Sequence, residues 1–133
     1  MDLSDITNNL VAQRQPIDFI LPEYLEAIPY SNPNQSTWVE IIHPEFTSLC
    51  PKTGLPDFGE ITIKYLPDQF IVELKSLKYY FLQYRNTGIF YEELTKLIME
   101  HLKAVLNPYN LTVSAKMTPR GGIQSIISSS FCR

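Results

Sequence analysis

The sequence predicts an α+β fold, an antiparallel sheet with two helices on one face in the order β-β-α-α-β-β. Three observations carry this expectation. Apolar and polar residues alternate over Ile61-Thr62-Ile63-Lys64-Tyr65 and over Leu111-Thr112-Val113-Ser114-Ala115-Lys116-Met117. Between these segments the apolar period changes to that of a helix, first from Leu74 and again from Tyr91. Proline, glycine and asparagine then punctuate the segments, at Pro67-Asp68, Asn86-Thr87-Gly88, Asn107-Pro108 and Pro119-Arg120-Gly121-Gly122.

Residues 1–36 read as an N-terminal arm and 37–133 as the regular domain. Asp5 to Val11 has the pattern of a short helix. Pro16, Pro22, Pro29 and Pro33, with Asn32, Asn34 and Gln35, predict an extended segment running over the surface. Trp38-Val39-Glu40-Ile41-Ile42 is the first strand, Ile61–Tyr65 the second, and Phe70–Glu73 a short extended run. From Leu74 on, Leu77, Phe81 and Tyr84 fall at helical spacing, with Lys75 and Lys78 on another face; Gly88 ends that helix. The second helix opens at Tyr91-Glu92-Glu93, whose acidic residues suit the helix dipole, and buries Leu94, Leu97, Ile98, Leu102, Val105 and Leu106. After Leu111–Met117, a turn at Thr118–Gly122 leads to a last strand at Ile123–Ser129. A sheet with one face covered and two open edges is commonly completed by other copies, so an oligomer is expected.

At 133 residues with 44% hydrophobic content, the chain fits one domain with a real core. No apolar run approaches the roughly 18 residues of a membrane span. Met1-Asp2-Leu3-Ser4-Asp5 lacks the basic and apolar blocks of a signal peptide, and Cys50 and Cys132 form no CxxC pair. Free thiols in a reducing cytoplasm are the expectation. A net charge of −3 argues against general nucleic-acid binding but leaves room for a local basic pocket. His43 and His101 match no metal spacing, so no catalytic metal is expected.

The chemistry concentrates in Thr47-Ser48-Leu49-Cys50-Pro51-Lys52-Thr53-Gly54-Leu55-Pro56-Asp57-Phe58-Gly59. Here a thiol and a carboxyl lie seven residues apart in a loop stiffened by Pro51 and Pro56 and turned at Gly54. A sulfur nucleophile beside a proton donor is the pairing that addition to a polarised multiple bond requires. The same residues also fit a buried structural cysteine and a turn aspartate.

Three further motifs follow in order: Glu73-Leu74-Lys75-Ser76-Leu77-Lys78-Tyr79-Tyr80, Tyr84-Arg85-Asn86 through Glu92, and Thr118-Pro119-Arg120-Gly121-Gly122. With these four motifs, from about Glu45 to Ile127, the chain closely resembles the single-module 7-cyano-7-deazaguanine reductases of queuosine biosynthesis. That family has the tunnelling fold (T-fold), whose members bind purines or pterins between subunits. The resemblance implies Cys50 as the nucleophile that forms a thioimide with the nitrile, and Asp57 as proton donor to its nitrogen. It implies a four-electron reduction by two NADPH molecules. Glu92 would anchor the base, with Val72, Glu73 and Leu74 lining the substrate pocket through backbone groups. Lys75, Ser76, Lys78 and Arg120 would bind NADPH. Tyr91 stands where many relatives have histidine; it can pack against a base and donate from its hydroxyl, but carries no positive charge. Leu94 stands where some relatives carry a second cysteine. The resemblance further implies pentameric rings stacked as a decamer, with sites shared between chains, a small-molecule substrate, and no direct contact with nucleic acid or membrane. The rivals are an archaeosine-synthase-type amidinotransferase acting on the same nitrile in tRNA, a zinc cyclohydrolase on the same fold, and a non-catalytic purine-binding module.

Overall fold

The computed structural model describes residues 3–30 and 35–133. Along the chain run α1 (Leu3–Gln13), β1 (Ala27–Pro29), β2 (Val39–Leu49), β3 (Pro56–Leu66), β4 (Phe70–Val72), α2 (Leu74–Leu82), α3 (Tyr91–Leu106), β5 (Asn110–Met117) and β6 (Ile126–Cys132). Strands β2, β3, β5 and β6 form one sheet in that order, with every neighbouring pair antiparallel.

Side-chain alternation fixes which face of this sheet is covered. Asp57, Gly59, Ile61, Ile63 and Tyr65 of β3 are buried, as are Leu111, Val113, Ala115 and Met117 of β5. Helix α3 packs across β5 and β6 and buries Leu94, Ile98, Leu102 and Leu106. Leu77, Tyr80 and Phe81 of α2 join the same core. Each large apolar side chain buried there contributes about 1.5–3 kcal/mol, so the core holds both helices to the sheet. The fold is thus the antiparallel α+β arrangement that the two periods predict.

Several element boundaries differ from expectation, each for a local reason. Strand β2 continues to Leu49 rather than stopping at Ile42, because Pro44 falls in a bulge where the pairing shifts between His43 and Phe46. A bulge tolerates a residue without an N–H donor. Strand β3 begins at Pro56, which places Asp57 on a strand rather than in a loop. Helix α2 stops at Leu82 and tightens into a 3-10 turn over Gln83–Asn86. Helix α3 ends where expected, at Asn107, which takes the left-handed conformation with φ 44°. The last strand starts at Ile126, because the turn continues past Gly122 and pairs Arg120 with Ile123.

The N-terminal segment is more closely built in than an extended surface arm. Helix α1 spans Leu3–Gln13, longer than Asp5 to Val11, and two 3-10 turns follow at Ile17–Phe19 and Pro22–Tyr24. Ile20 and Leu25 are buried in the core. Strand β1, absent from the sequence-based element order, pairs antiparallel with β4 through Ala27 and Val72. Beside it, the Glu26 N–H donates to Ser76 Oγ at 2.9 Å. The Gln83 side chain accepts from the Leu21 N–H at 2.7 Å and donates to its carbonyl at 3.0 Å. The part of the expected arm at Asn32, Pro33 and Asn34 lies outside the described residues. No described helix is long and apolar enough to cross a membrane.

Candidate active site

Cys50 follows the last residue of β2, in a loop closed by its own backbone. The Cys50 N–H donates to the Leu55 carbonyl at 2.9 Å, and its carbonyl accepts from the Gly54 N–H at 2.8 Å. Gly54 adopts φ 71°, a conformation that costs a residue with a Cβ. The loop is also fixed from behind. The Leu49 N–H donates to Thr87, and the Leu49 carbonyl accepts from Ile89. Gly88 passes so close that a Cβ there would meet Arg14 Cδ at 2.5 Å and Pro51 Cα at 3.5 Å. Gly88 has no left-handed φ and so is not a helix cap; its place leaves room for the Arg14 side chain.

The Cys50 thiol is half-buried. Desolvation pushes its pKa up, but the Thr53 hydroxyl and the N–H groups of Thr53 and Lys52 donate to the sulfur and more than offset this. The net shift is downward, despite the opposing field of Asp57. A thiol so placed is tuned toward thiolate, the nucleophilic form.

Asp57 lies across from Ser48 in the β2–β3 register, on the buried face near one end of the sheet. Its Oδ1 meets Arg120 Nη2 at 2.8 Å. The same guanidinium nitrogen donates to the Pro56 carbonyl. Tyr91, the first residue of α3, donates its hydroxyl to Asp57. Desolvation first, then this hydrogen bond and the Asp57 charge, push the Tyr91 phenol up to about 12, against the pull of Arg120. Cys50 also acts on Tyr91 electrostatically. Cys50, Asp57, Tyr91 and Arg120 thus form one cluster, drawn from the β2–β3 loop, strand β3, a helix N-terminus and the β5–β6 connection. Glu92 follows Tyr91 and is exposed in the first turn of α3.

The remaining expected site residues surround the start of α2. Val72 is buried, and its N–H donates to the Tyr65 hydroxyl at 3.1 Å. Glu73 caps the helix, its two carboxylate oxygens accepting from the N–H groups of Lys75 at 2.8 Å and Ser76 at 2.6 Å. Those two donors hold its carboxyl below the ordinary range. The Ser76 hydroxyl donates to the Glu73 carbonyl at 2.7 Å while receiving the Glu26 N–H, so it ties the helix start to β1. Leu74, Lys75 and Lys78 are exposed. Lys78 lines a cavity with His43, Thr47 and Arg85, while Arg120 contacts Asp57.

Three residues of this region had no role in the sequence reading. Thr47 donates its hydroxyl to the Asp57 carbonyl at 2.8 Å. Ser48, fully buried opposite Asp57, has no hydrogen-bond partner for its Oγ among the described residues. Arg85 lines a cavity with Lys78, although it belongs to the Tyr84-Arg85-Asn86 motif. Only that motif signalled it.

Known proteins share both this sequence and this fold. A family model described as QueF-like protein matches residues 56–133. A protein of Prosthecochloris aestuarii named NADPH-dependent 7-cyano-7-deazaguanine reductase is 50% identical over 109 residues, 82% of this chain and 92% of that one. A protein of the same name from Chlorobium phaeovibrioides is 53% identical over 108 residues, 81% of this chain and 93% of its own. Among solved structures, the archaeosine synthase QueF-Like in its apo form superposes with a TM-score of 0.67 at 24% identity, covering 73% of this chain and 95% of that one. That likeness establishes a shared fold. By the family model and by relatives with half their residues identical over most of both chains, this chain belongs to the QueF-like family.

Proposed function

We propose that the protein is an NADPH-dependent 7-cyano-7-deazaguanine reductase, reducing the nitrile to the aminomethyl base in queuosine biosynthesis. The observation that carries this is the Cys50–Asp57 pair: a thiol tuned toward thiolate on a hydrogen-bonded loop, beside a buried carboxyl, in a chain half identical to relatives of that name. The Cys50 sulfur adds to the nitrile carbon as Asp57 passes a proton to the nitrile nitrogen, leaving a neutral thioimide. Before this step Asp57 has to carry a proton, which its burial favours and the Arg120 contact opposes; after it, the Arg120 guanidinium at 2.8 Å and the Tyr91 hydroxyl stabilise the anion. Dividing the reaction this way replaces a poor acceptor, the nitrile, with a better one. When bound, NADPH supplies the hydrides that take the nitrile to the aminomethyl group, two molecules per turnover.

Glu92 is the proposed anchor of the base, accepting from its amide N–H and exocyclic amine. Tyr91 flanks it in place of histidine. Val72, Glu73 and Leu74 line the pocket, a segment held in place by the Val72 N–H on Tyr65 and by the Glu73 cap of α2. On the cofactor side stand Lys75, Ser76, Lys78 and Arg120. Lys75 and Lys78 project freely from α2, and Ser76 serves by fixing the helix start that carries them. Arg120 engages Asp57 through Nη2 and keeps its other N–H groups for a phosphate.

In this reading 37–133 carry the T-fold, the N-terminal segment packs onto it through Ile20, Leu25 and β1, and chains assemble through their sheets into pentameric rings paired as decamers. Among the described residues β2 and β6 are the edge strands of the sheet, β2 being bridged only at Leu49, and Ile42, Phe58 and Ile126 are exposed on the sheet. An intersubunit site would bring the Cys50–Asp57 cluster of one chain to the α2 cluster of another. A cytoplasmic setting suits the free Cys50 and Cys132. The test is NADPH oxidation with the nitrile base as substrate: turnover at two NADPH per base supports the reductase. Product from ammonia and nitrile-bearing tRNA, without NADPH consumption, would transfer the site to the amidinotransferase reading.

A further inference from the structure

Beside the bulge of β2 lies a cavity of about 380 Å³ lined by His43, Glu45, Thr47, Lys78, Phe81 and Arg85, with Leu82 at its edge. Two permanent cations face it against a single carboxylate, in a chain whose net charge is −3. Two other cavities have the opposite balance. The one beside Phe58, about 570 Å³, sets Lys116 against Glu45 and Glu60, and the one beside Ile17 sets Lys96 against Glu93 and Glu100. Several remaining cations already have a partner within the chain. Arg120 pairs with Asp57 and Arg133 with Asp68, while Lys64 and Lys103 lie over the rings of Trp38 and Phe131. Among the described residues Lys78 and Arg85 make no ion pair within 4.0 Å.

The cavity also has a flat wall. The His43 ring stacks on Phe81 at 4.8 Å with 27° between the planes. Burial pushes the His43 imidazole down, against the pull of Glu45, so its face is that of a neutral ring at neutral pH. A neutral aromatic face beside a guanidinium and an ammonium suits an adenosine that carries a phosphate dianion. Thr47 then connects the cavity to the chemistry. It lines the wall, donates to the Asp57 carbonyl, and is three residues from Cys50, about 10 Å along an extended strand.

We propose that Arg85, with Lys78, seats the 2′-phosphate of NADPH in this cavity at the β2 edge, making Arg85 a determinant of the preference for NADPH over NADH. This rests on the reductase reading above. Arg85 offers the bidentate fork that a phosphate accepts, which Lys78 alone does not. Without the cofactor, its place in the 3-10 turn that follows α2 is an ordinary one for a helix-terminal cation.

The test uses the full chain with Arg85→Ala and Arg85→Lys. Arg85→Ala is expected to raise the Michaelis constant for NADPH roughly ten- to a hundredfold while moving that for NADH by no more than about twofold. Arg85→Lys should fall between the wild type and Arg85→Ala. Formation of the Cys50 adduct with the nitrile base, which needs no NADPH, should match wild type and certify the fold. Calorimetric titration with NADP⁺ and NAD⁺ reads the same preference without turnover. An unchanged NADPH constant in Arg85→Ala, or equal losses for NADPH and NADH, would overturn the proposal. If the wild type forms no adduct, the reductase reading fails instead. A wild type that forms adduct and turns over, with Arg85→Ala equally active, removes this inference alone.

Discussion

Arg120 Nη2 contacts Asp57 Oδ1 at 2.8 Å, with the carboxylate side chain 5% exposed and the guanidinium 45% exposed. A buried acid is thereby tied to a residue on the β5–β6 connection, with the Tyr91 hydroxyl as a second donor. The proposed proton donor is thus held by groups that stabilise the anion it becomes.

The first prediction takes that pair as a cycle. Asp57→Asn should still bind the base but lose reduction by about 10²–10⁴-fold, the usual worth of a positioned general acid. Arg120→Ala should lower stability to urea by about 1–3 kcal/mol, discounted from a fully buried pair because the guanidinium is half exposed. In Asp57→Asn/Arg120→Ala most of that loss should disappear, since no buried charge is left without a partner. Additive losses in the cycle would show that the two side chains act independently.

The second concerns pH. The Cys50 thiol titrates below its ordinary value, so alkylation by iodoacetamide should reach half its maximal rate at a pH below that of an ordinary thiol. Thr53→Ala removes the hydroxyl donor and should move the midpoint upward, slowing adduct formation at neutral pH. The sign for stability follows. A lowered folded-state pKa contributes stability that is present above the ordinary thiol value and lost as pH falls through the lowered one. A Thr53→Ala midpoint equal to wild type would remove these hydrogen bonds as the cause.

The third separates binding from chemistry. Glu92→Gln turns one acceptor into a donor facing donors, at a cost of roughly 2–5 kcal/mol in affinity for the base. Calorimetry with the unreduced base measures this directly. Wild-type affinity in Glu92→Gln would mean that the exposed glutamate is only a first-turn helical residue.

Which of these features the sequence reveals depends on the range of the interaction. Alternation over 61–65 and 111–117 is local and marks the centres of β3 and β5, and the helical period from Tyr91 marks α3 and its Asn107 cap. The run of β2 beyond Pro44 is not local, since a bulge defined by the partner strand absorbs the proline. The β1–β4 pair joins Ala27 to Val72, three residues a side, too short to show as a pattern. At the site, the spacing of Cys50 and Asp57 is visible in one loop. Their partners Tyr91 and Arg120 come from elements brought near only by the sheet. Arg120 reads as one more cation beside Lys75 and Lys78 until its contact with Asp57 is seen.

A fourth prediction follows from the open sheet edges. Light scattering should give an assembly of ten chains, or five on partial dissociation. A 15.3 kDa monomer with full activity would rule out a site shared between chains.

The central claim is that Cys50 attacks the nitrile, and intact-mass measurement tests it most directly. Incubated with 7-cyano-7-deazaguanine in the absence of NADPH, each chain should gain the mass of one base. Cys132→Ala should gain it equally, Cys50→Ala should gain nothing, and subsequent NADPH should discharge the adduct. Adduct on Cys132, or reduction by a chain lacking Cys50, would contradict the mechanism.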